Sequence, residues 1–518
     1  MFATLISSCI VGLDAVPIDV EATVREGTPK FTIIGLGGAT IRESRDRIIA
    51  ALEYNGIDNP GVVLVNLAPA EVKKESTAFD LPIALAIAAA MKIIPSHAFS
   101  GISFFGELSL TGEAKATAGV TAHALCAAQY GIATVVVPYE NRHEASVVEG
   151  VRVIGVHSLA HAIRLLTGRE EAELQLERPP TPVRRSCKSL DDVHGQEAAK
   201  RALIIAAAGG HNMLMIGPPG CGKSMLAERL SSILPPLAKD ELLEVLRIHS
   251  VAGLSTASIL SGERPYRAPH HVVSDAGLIG GGSGPRPGEV SLAHRGVLFL
   301  DEFPEYRRSA VEALRAPIEM GAVQVARARA SIHFPARFQL IAAMNPCPCG
   351  RLGSHQGACR CAHYAVRDYL ARLSQPILDR IDLHVELEAV PVDDLVWSKP
   401  KQSDDTAGVA ARVVEARQRQ YARYRMLNNE ASDVLIKSHV TVTSAARTLL
   451  SMATQRLAMS ARGYVRVLRV AVTIADLAGD SEVTEEHVAE AVSYRSLDRL
   501  SQLIGNGAAF RRASSFGG

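Results

Sequence analysis

The 518-residue sequence carries almost no net charge: 55 lysines and arginines face 54 aspartates and glutamates, a formal +1 at pH 7. That balance excludes a global pull toward nucleic acid or anionic membranes, so any such contact must come from local patches. Long apolar runs are also missing. The most apolar stretch, Leu81 to Pro95, is broken by Lys92 and is shorter than the roughly 20 residues a spanning helix needs. No basic region precedes the apolar start Met1 to Val16, which carries Asp14 and continues as alternating, strand-like sequence. A secretory signal is therefore not expected. Cysteines number only eight, and four of them cluster within 347–361. This is a metal-like distribution, not a disulfide scaffold, and it fits a reducing, cytoplasmic compartment.

What is present is a globular composition, 47% hydrophobic and 21% charged, on a chain long enough for about two to four domains. Residues 1–168 alternate strands (Ile18–Val24, Phe31–Ile34, Val62–Asn66, Ile102–Leu108, Thr134–Val137) with helices (Ile41–Asn55, Leu81–Met91, Thr121–Tyr130, Ser158–Leu166), the pattern of a two-layer α/β domain. Residues 169–187 form a charged, proline-rich linker that prolines hold extended.

The segment Lys73-Lys-Glu-Ser-Thr-Ala-Phe-Asp-Leu-Pro82 and the stretch from Leu110-Thr-Gly-Glu113 to Gly131-Ile132 resemble the serine and lysine blocks of Lon-type proteases. The resemblance places Thr77 nearest the serine and Thr121 at the lysine position. Without a base, a hydroxyl is no nucleophile at neutral pH, so no peptidase activity is expected.

The second domain is organised around Gly217-Pro218-Pro219-Gly220-Cys221-Gly222-Lys223-Ser224. An apolar strand (Met213–Ile216) precedes it and a helix follows. Glycines let successive N–H groups turn toward phosphate oxygens. Lys223 supplies charge for the β- and γ-phosphates, and Ser224 offers a hydroxyl to Mg²⁺. Downstream, Gly296-Val-Leu-Phe-Leu-Asp-Glu302 reads as a buried parallel strand ending in two acids, where α/β sheets bind ligands. Asp301 suits Mg²⁺ and Glu302 suits a base for the attacking water. The strand Leu340–Met344 ends in Asn345.

Together these motifs resemble P-loop ATPases of the AAA+ superfamily. The resemblance implies adenine contact by Gly195 and Gln196, a sensor role for Asn345, an arginine finger at Arg380 within Gln375-Pro-Ile-Leu-Asp-Arg-Ile-Asp382, and a second sensor at Arg462. On that reading Lys223, Ser224, Asp301, Glu302, Asn345 and Arg462 come from one subunit and Arg380 from the next. A salt bridge of Arg380 with Asp379 or Asp382 is the competing reading.

Two inserts are basic. The glycine-rich stretch 254–289 carries Arg264, Arg267, His270, His271 and Arg286, and 322–334 alternates as a β-hairpin with Arg327 and Arg329 on one face. Both fit DNA-gripping pore loops; packing between subunits is the alternative. The helix Arg412 to Arg425 reads as a solvated lid face rather than a strand grip. Cys347, Cys349, Cys359 and Cys361 form two Cys-X-Cys pairs that either close a tetrahedral zinc site or remain reduced thiols.

Arg264-Pro-Tyr-Arg-Ala-Pro-His-His271, Pro285–His294 and Ala342-Ala-Met-Asn-Pro-Cys-Pro-Cys-Gly350 resemble the magnesium-chelatase-like AAA+ proteins of the YifB/ComM family along nearly the whole chain. The resemblance implies a homohexameric ATP- and Mg²⁺-dependent motor. Its ComM members are helicases that act on DNA, driving branch migration during integration of transforming DNA. A magnesium-chelatase motor subunit and a protein remodeller are the alternatives. The expected fold is α/β: an N-terminal Lon-protease-like (S5-like) domain, an AAA+ core with a parallel sheet over 188–400, a helical lid over 401–504 and a disordered tail over 505–518.

Overall fold

The computed structural model describes residues 1–35, 39–57, 61–74, 76–172, 189–282, 286–326, 331–352, 358–388, 406–457 and 459–495; the side chains of 39–42, 326 and 331 are outside this description. Most of the linker, the tail 505–518, and Arg327 and Arg329 therefore lie outside the described residues. The chain divides into two compact units, Met1–Pro182 with Ala238–Gly262, and Val183–Leu237 with Glu263–Gly518.

The first unit is built on a seven-stranded mixed sheet, ordered Lys30–Ile34, Val62–Ala68, Asp14–Arg25, Phe2–Val11, Ile102–Phe104, Thr134–Pro138, Arg152–Val156. Two of these strands, Phe2–Val11 and Arg152–Val156, are absent from the sequence reading. The first pairs antiparallel with Asp14–Arg25 along its whole length. Its apolar content thus serves a half-buried strand, with alternate residues facing the core. The apolar run near Leu81 becomes the helix Asp80–Ala90, every residue of which is buried. A helix apolar all round belongs in a core, and this one packs on the two antiparallel strands.

Residues 238–262, which the sequence reading gave to the ATPase core, join this first unit. The helix Lys239–Val251 packs on Val120–Gln129. Ser250 Oγ accepts from the Gly119 N–H at 3.1 Å, capping the start of that helix. Arg247 Nε donates to Leu13 O at 2.7 Å.

The second unit holds a five-stranded sheet, ordered Tyr266–Arg267, Val297–Leu300, Gln339–Met344, Met213–Ile216, Leu383–Glu386. All its pairings are parallel. The three central strands are buried throughout, which explains their unbroken apolar sequence. Helices Thr406–Tyr424, Asp433–His439, Ser444–Arg456, Ala461–Ala478 and Glu485–Ser493 complete the unit. Among the described residues no helix is long and apolar enough to cross a membrane.

The basic stretch of Thr406–Tyr424 is only partly a solvated face: Arg412 and Arg419 are exposed, whereas Arg417 and Arg423 turn inward. Arg417 is buried and donates to Ala207 O at 2.9 and 2.6 Å. Arg419 donates to Asp476 O, and Arg423 pairs with the buried Asp476 carboxylate. These groups answer carbonyls and a carboxylate that burial would otherwise leave unsatisfied.

Candidate nucleotide site

The P-loop leaves the carboxyl end of Met213–Ile216, with the acid-bearing strand two places away in the sheet. Gly220 and Gly222 adopt φ of 78° and 93°, and a Cβ on either would meet nothing within 4 Å. Left-handed backbone beside open space lets N–H groups line an anion-sized hollow. The helix Lys223–Ile233 starts at its rim.

Around this hollow the polar groups are held by one another. Lys223 Nζ donates to Gly217 O and Pro218 O, both at 2.8 Å, and to Asn345 Oδ1 at 3.3 Å. Ser224 Oγ donates to Asp301 Oδ2 at 2.7 Å. The two oxygens suited to Mg²⁺ are therefore adjacent, and the ammonium lies folded against carbonyls that a phosphate can outcompete. Glu302 sits in left-handed backbone at φ 52°, and its Oε2 is 3.2 Å from His271 Nδ1. Gln196 donates to Cys221 O at 3.3 Å and to Glu388 O at 2.6 Å. It ties the start of helix Glu197–Gly209, just after Gly195, to the P-loop. Cys221 is buried, and burial raises its thiol pKa.

Arg380 and Arg462 lie elsewhere. Arg380 precedes the start of Leu383–Glu386, and its carbonyl accepts from Asn212 Nδ2 beside the start of the P-loop strand. It thus sits at the edge where the strands begin, about 13 Å of strand length from the P-loop. Its guanidinium reaches Glu319 Oε1 at 2.5 Å, and Arg462 Nη1 stands 4.0 Å from the same oxygen. Arg462 therefore groups with Arg380, away from Lys223; its placement in the same subunit's ATP site is corrected by this geometry. The salt-bridge partner of Arg380 is Glu319, neither Asp379 nor Asp382. Asp382 instead pairs with Arg466 at 2.5 Å. Burial acts to raise its pKa, but Arg466 and His211 outweigh that and hold the carboxyl well below its usual range. Sequence carried no signal for Glu319, because the pairing joins distant segments of the chain.

The first insert is largely internal. Arg264 donates to Pro235 O and Arg295 O, both at 2.7 Å. Arg267 holds Glu289 bidentately at 2.6 and 2.8 Å. The His270 and His271 rings meet at a tilt, with centroids 4.2 Å apart. Arg264 and Arg267 are thus engaged within the fold, whereas His270 is exposed. Arg286, on a short ribbon with Gly280–Gly281, is exposed. The second insert holds an antiparallel pair, Ala322–Ala326 with Ser331–Pro335; Arg327 and Arg329 lie outside the described residues.

The four clustered cysteines converge, with all four sulfurs within 4.8 Å of one another. Cys347 Sγ is 3.4 Å from Cys349 Sγ and 3.7 Å from Cys359 Sγ, and the last two are 3.6 Å apart. Tetrahedral zinc with bonds of about 2.3 Å spaces its sulfurs about 3.8 Å apart, so the thiols fit the ion. Burial acts against ionisation of Cys349, yet the Arg351 N–H and the neighbouring thiols bring its pKa down to about 6. The cluster begins just after Asn345. Its Gly350 faces the P-loop so closely that a Cβ would fall 2.5 Å from Pro219 Cδ.

In the first unit, Thr77 Oγ1 donates to Glu107, and Thr121 Oγ1 donates to Glu144 at 2.7 Å. Thr121 is fully buried. Lys115 is exposed and paired with Glu113 at 2.7 Å.

The magnesium chelatase subunit ChlI family matches residues 189–395, with companion matches described as subunit ChlI of Mg-chelatase over 20–141 and subunit ChlI C-terminal over 403–495. "Uncharacterized protein YifB" of Salmonella typhimurium is 40% identical over 495 residues, 95% of this chain and 96% of its own. "Competence protein ComM" of Haemophilus influenzae is 39% identical over 510 residues, 97% and 99% of the two chains. "Archaeal Lon protease" of Halobacterium salinarum matches at 44% over 61 residues, 12% of this chain and 8% of its own. With the parallel sheet, the P-loop and the paired acids in place, the chain belongs to the magnesium-chelatase-like AAA+ family that includes YifB and ComM.

Proposed function

We propose that the chain is an ATP-hydrolysing DNA motor that works as a ring of six copies and drives branch migration while incoming DNA is integrated. The observation that carries the ring is the position of Arg380 and Arg462. They share Glu319 at the sheet edge opposite the P-loop, so a neighbouring copy can use them and their own site cannot. The DNA reading rests on near full-length similarity to a competence protein and on the basic residues of the two inserts, of which Arg286 is exposed.

In this reading ATP binds between copies. Lys223 turns from the carbonyls of Gly217 and Pro218 to the phosphates. Ser224 and Asp301 hold Mg²⁺, Glu302 takes the proton of the attacking water, and Asn345 orients it. The neighbour's Arg462, whose side chain is 68% exposed, and its Arg380, once released from Glu319, neutralise charge developing in the transition state. Cys347, Cys349, Cys359 and Cys361 hold a structural Zn²⁺ that fixes the loop after Asn345.

ATP turnover with and without forked DNA, run beside a mass measurement in ATP, tests the proposal. Turnover should rise with DNA, and DNA affinity should fall steeply with salt. Stimulation by an unfolded protein in place of DNA would favour a protein remodeller; a monomer that turns over at full rate would remove the ring. Arg327→Ala/Arg329→Ala should weaken DNA binding equally across sequences.

A further inference from the structure

We propose that the first unit holds a binding site for a small amphipathic carboxylate, seated between the helix Leu159–Leu166 and one face of three parallel strands. The site lies wholly within Met1–Pro182 and is independent of the nucleotide-site and DNA-motor readings.

A cavity of about 520 Å³ lies here, within the roughly 300–1,000 Å³ that small-ligand sites occupy. Its floor follows from strand register. Ile102–Phe104, Thr134–Pro138 and Arg152–Val156 run parallel and in step. Alternate residues of a strand share a face. The floor is therefore a first row of Ile102, Thr134 and Arg152, and a second of Phe104, Val136 and Ile154, with Val156 beyond it.

The helix covers this floor with Ala162, Leu165 and Leu166. Residues three and four apart share one side of a helix, and the short side chain of Ala162 leaves space that a larger residue would fill. The helix ends without orphan carbonyls turned on a ligand. Ile163 O accepts from the Thr167 N–H, Leu165 O from Gly168 and Arg164 O from Arg169. The end of the helix thus sets few bare acceptors against an anion.

The cavity changes character along the strands. Phe104 and Val156 are fully buried, and Val136 is 4% exposed. The first row opens to water: Arg152 and His97 both line the cavity and both are exposed. Among the described residues nothing pairs with the Arg152 guanidinium, and Thr134 beside it offers a hydroxyl. A guanidinium forks onto a carboxylate with two hydrogen bonds. The apolar end can take only a hydrocarbon body, since a polar group there would lose its water without a partner. Arg152 and Val156 are four residues apart, about 13 Å of strand. A chain laid along the floor therefore keeps its carboxylate at Arg152 and its tail against Phe104 and Val156.

The test is calorimetric titration of the full chain with sodium decanoate, beside decanol and decyltrimethylammonium, which carry the same tail with no charge and with the opposite one. Wild type should bind a single decanoate per chain, more tightly than either control. Amide exchange should slow in Arg152–Val156 and Leu159–Leu166 when decanoate is present. Arg152→Gln, a change at an exposed position, should weaken decanoate about five- to tenfold, the range left to a charge-assisted contact open to water, and leave decanol unchanged. Ala162→Leu fills the cavity and should abolish binding of both while the protein still unfolds cooperatively. Decanoate that binds no more tightly than decanol or decyltrimethylammonium would overturn the proposal, because the tail alone would then be recognised. Unchanged decanoate affinity in Arg152→Gln would overturn it too, and decides the matter alone should Ala162→Leu fail to fold. Slowed exchange confined to other segments would place the ligand elsewhere and sink the site.

Discussion

The chain carries two sites whose motifs resemble catalytic ones, and the two treat their polar residues differently. At the P-loop, Lys223, Ser224, Asp301 and Asn345 satisfy one another beside open backbone. Each of those contacts can be exchanged for a phosphate or a metal. In the first unit, Thr77 is tied to Glu107 and the fully buried Thr121 to Glu144. At Thr121 a ligand would have to displace a fully buried hydroxyl from a carboxylate that also accepts from the Thr121 N–H and from Thr256. The lesson is that a motif residue is poised for chemistry when its present partners are replaceable, and structural when they are not.

Removing the exchangeable charge gives the largest expected effect. Lys223→Ala should weaken ATP binding on the order of 10²-fold or more, since charge-assisted contacts to phosphate go with it; titration with a fluorescent nucleotide measures this. Glu302→Gln should bind ATP near normally but lose on the order of 10²- to 10⁴-fold in kcat. Normal turnover in that variant would assign the base elsewhere.

At the other site, Thr77→Ala should leave both ATP turnover and peptide release unchanged. ATP-dependent peptide release that Thr77→Ala abolishes would erase the contrast between the two sites. Thr121→Ala should cost about 1 kcal/mol in denaturant unfolding, because Glu144 loses one of its buried donors.

A pH titration gives the smallest effect. Burial, only partly offset by Arg47 and Ser44, pushes the Asp80 carboxyl up to about 6. The folded state then holds this proton more tightly than the unfolded chain does. The contribution to stability is full below the unfolded value of about 4 and is lost as pH rises through about 6. Amide-exchange protection of helix Asp80–Ala90 should fall over that window, and constant protection would contradict the assignment.

Much of this was legible in the sequence because it is local. The P-loop, its strand and its helix follow from spacing and from a four-residue apolar run. The strand ending in Asp301 and Glu302 and the strand ending in Asn345 are found in the same way. Helix Ala461–Ala478 also follows from its apolar pattern, although it is buried on all sides from Val470 to Leu477. What escaped is non-local. Glu319 gathers Arg380 and Arg462 across the fold, and no periodicity announces it. The strand Phe2–Val11 is not among the strands read from the sequence and shows only with its antiparallel partner Asp14–Arg25. Helix Lys239–Val251 follows the P-loop in sequence yet packs in the first unit, where Ser250 caps a distant helix. Arg417 and Arg423 read as solvated because sequence shows charge but not the Ala207 carbonyl and buried Asp476 that receive it.

The shared position of Arg380 and Arg462, far from their own P-loop, is tested most directly by mixing two inactive chains. One carries Lys223→Ala and the other Arg380→Ala/Arg462→Ala. In mixed rings, intact P-loops from the second variant meet intact arginines from the first. ATP turnover should reappear in the mixture, well above either variant alone, at a level that tracks the mixing ratio. Mixed assemblies that form yet show no recovery would contradict an ATP site shared between copies.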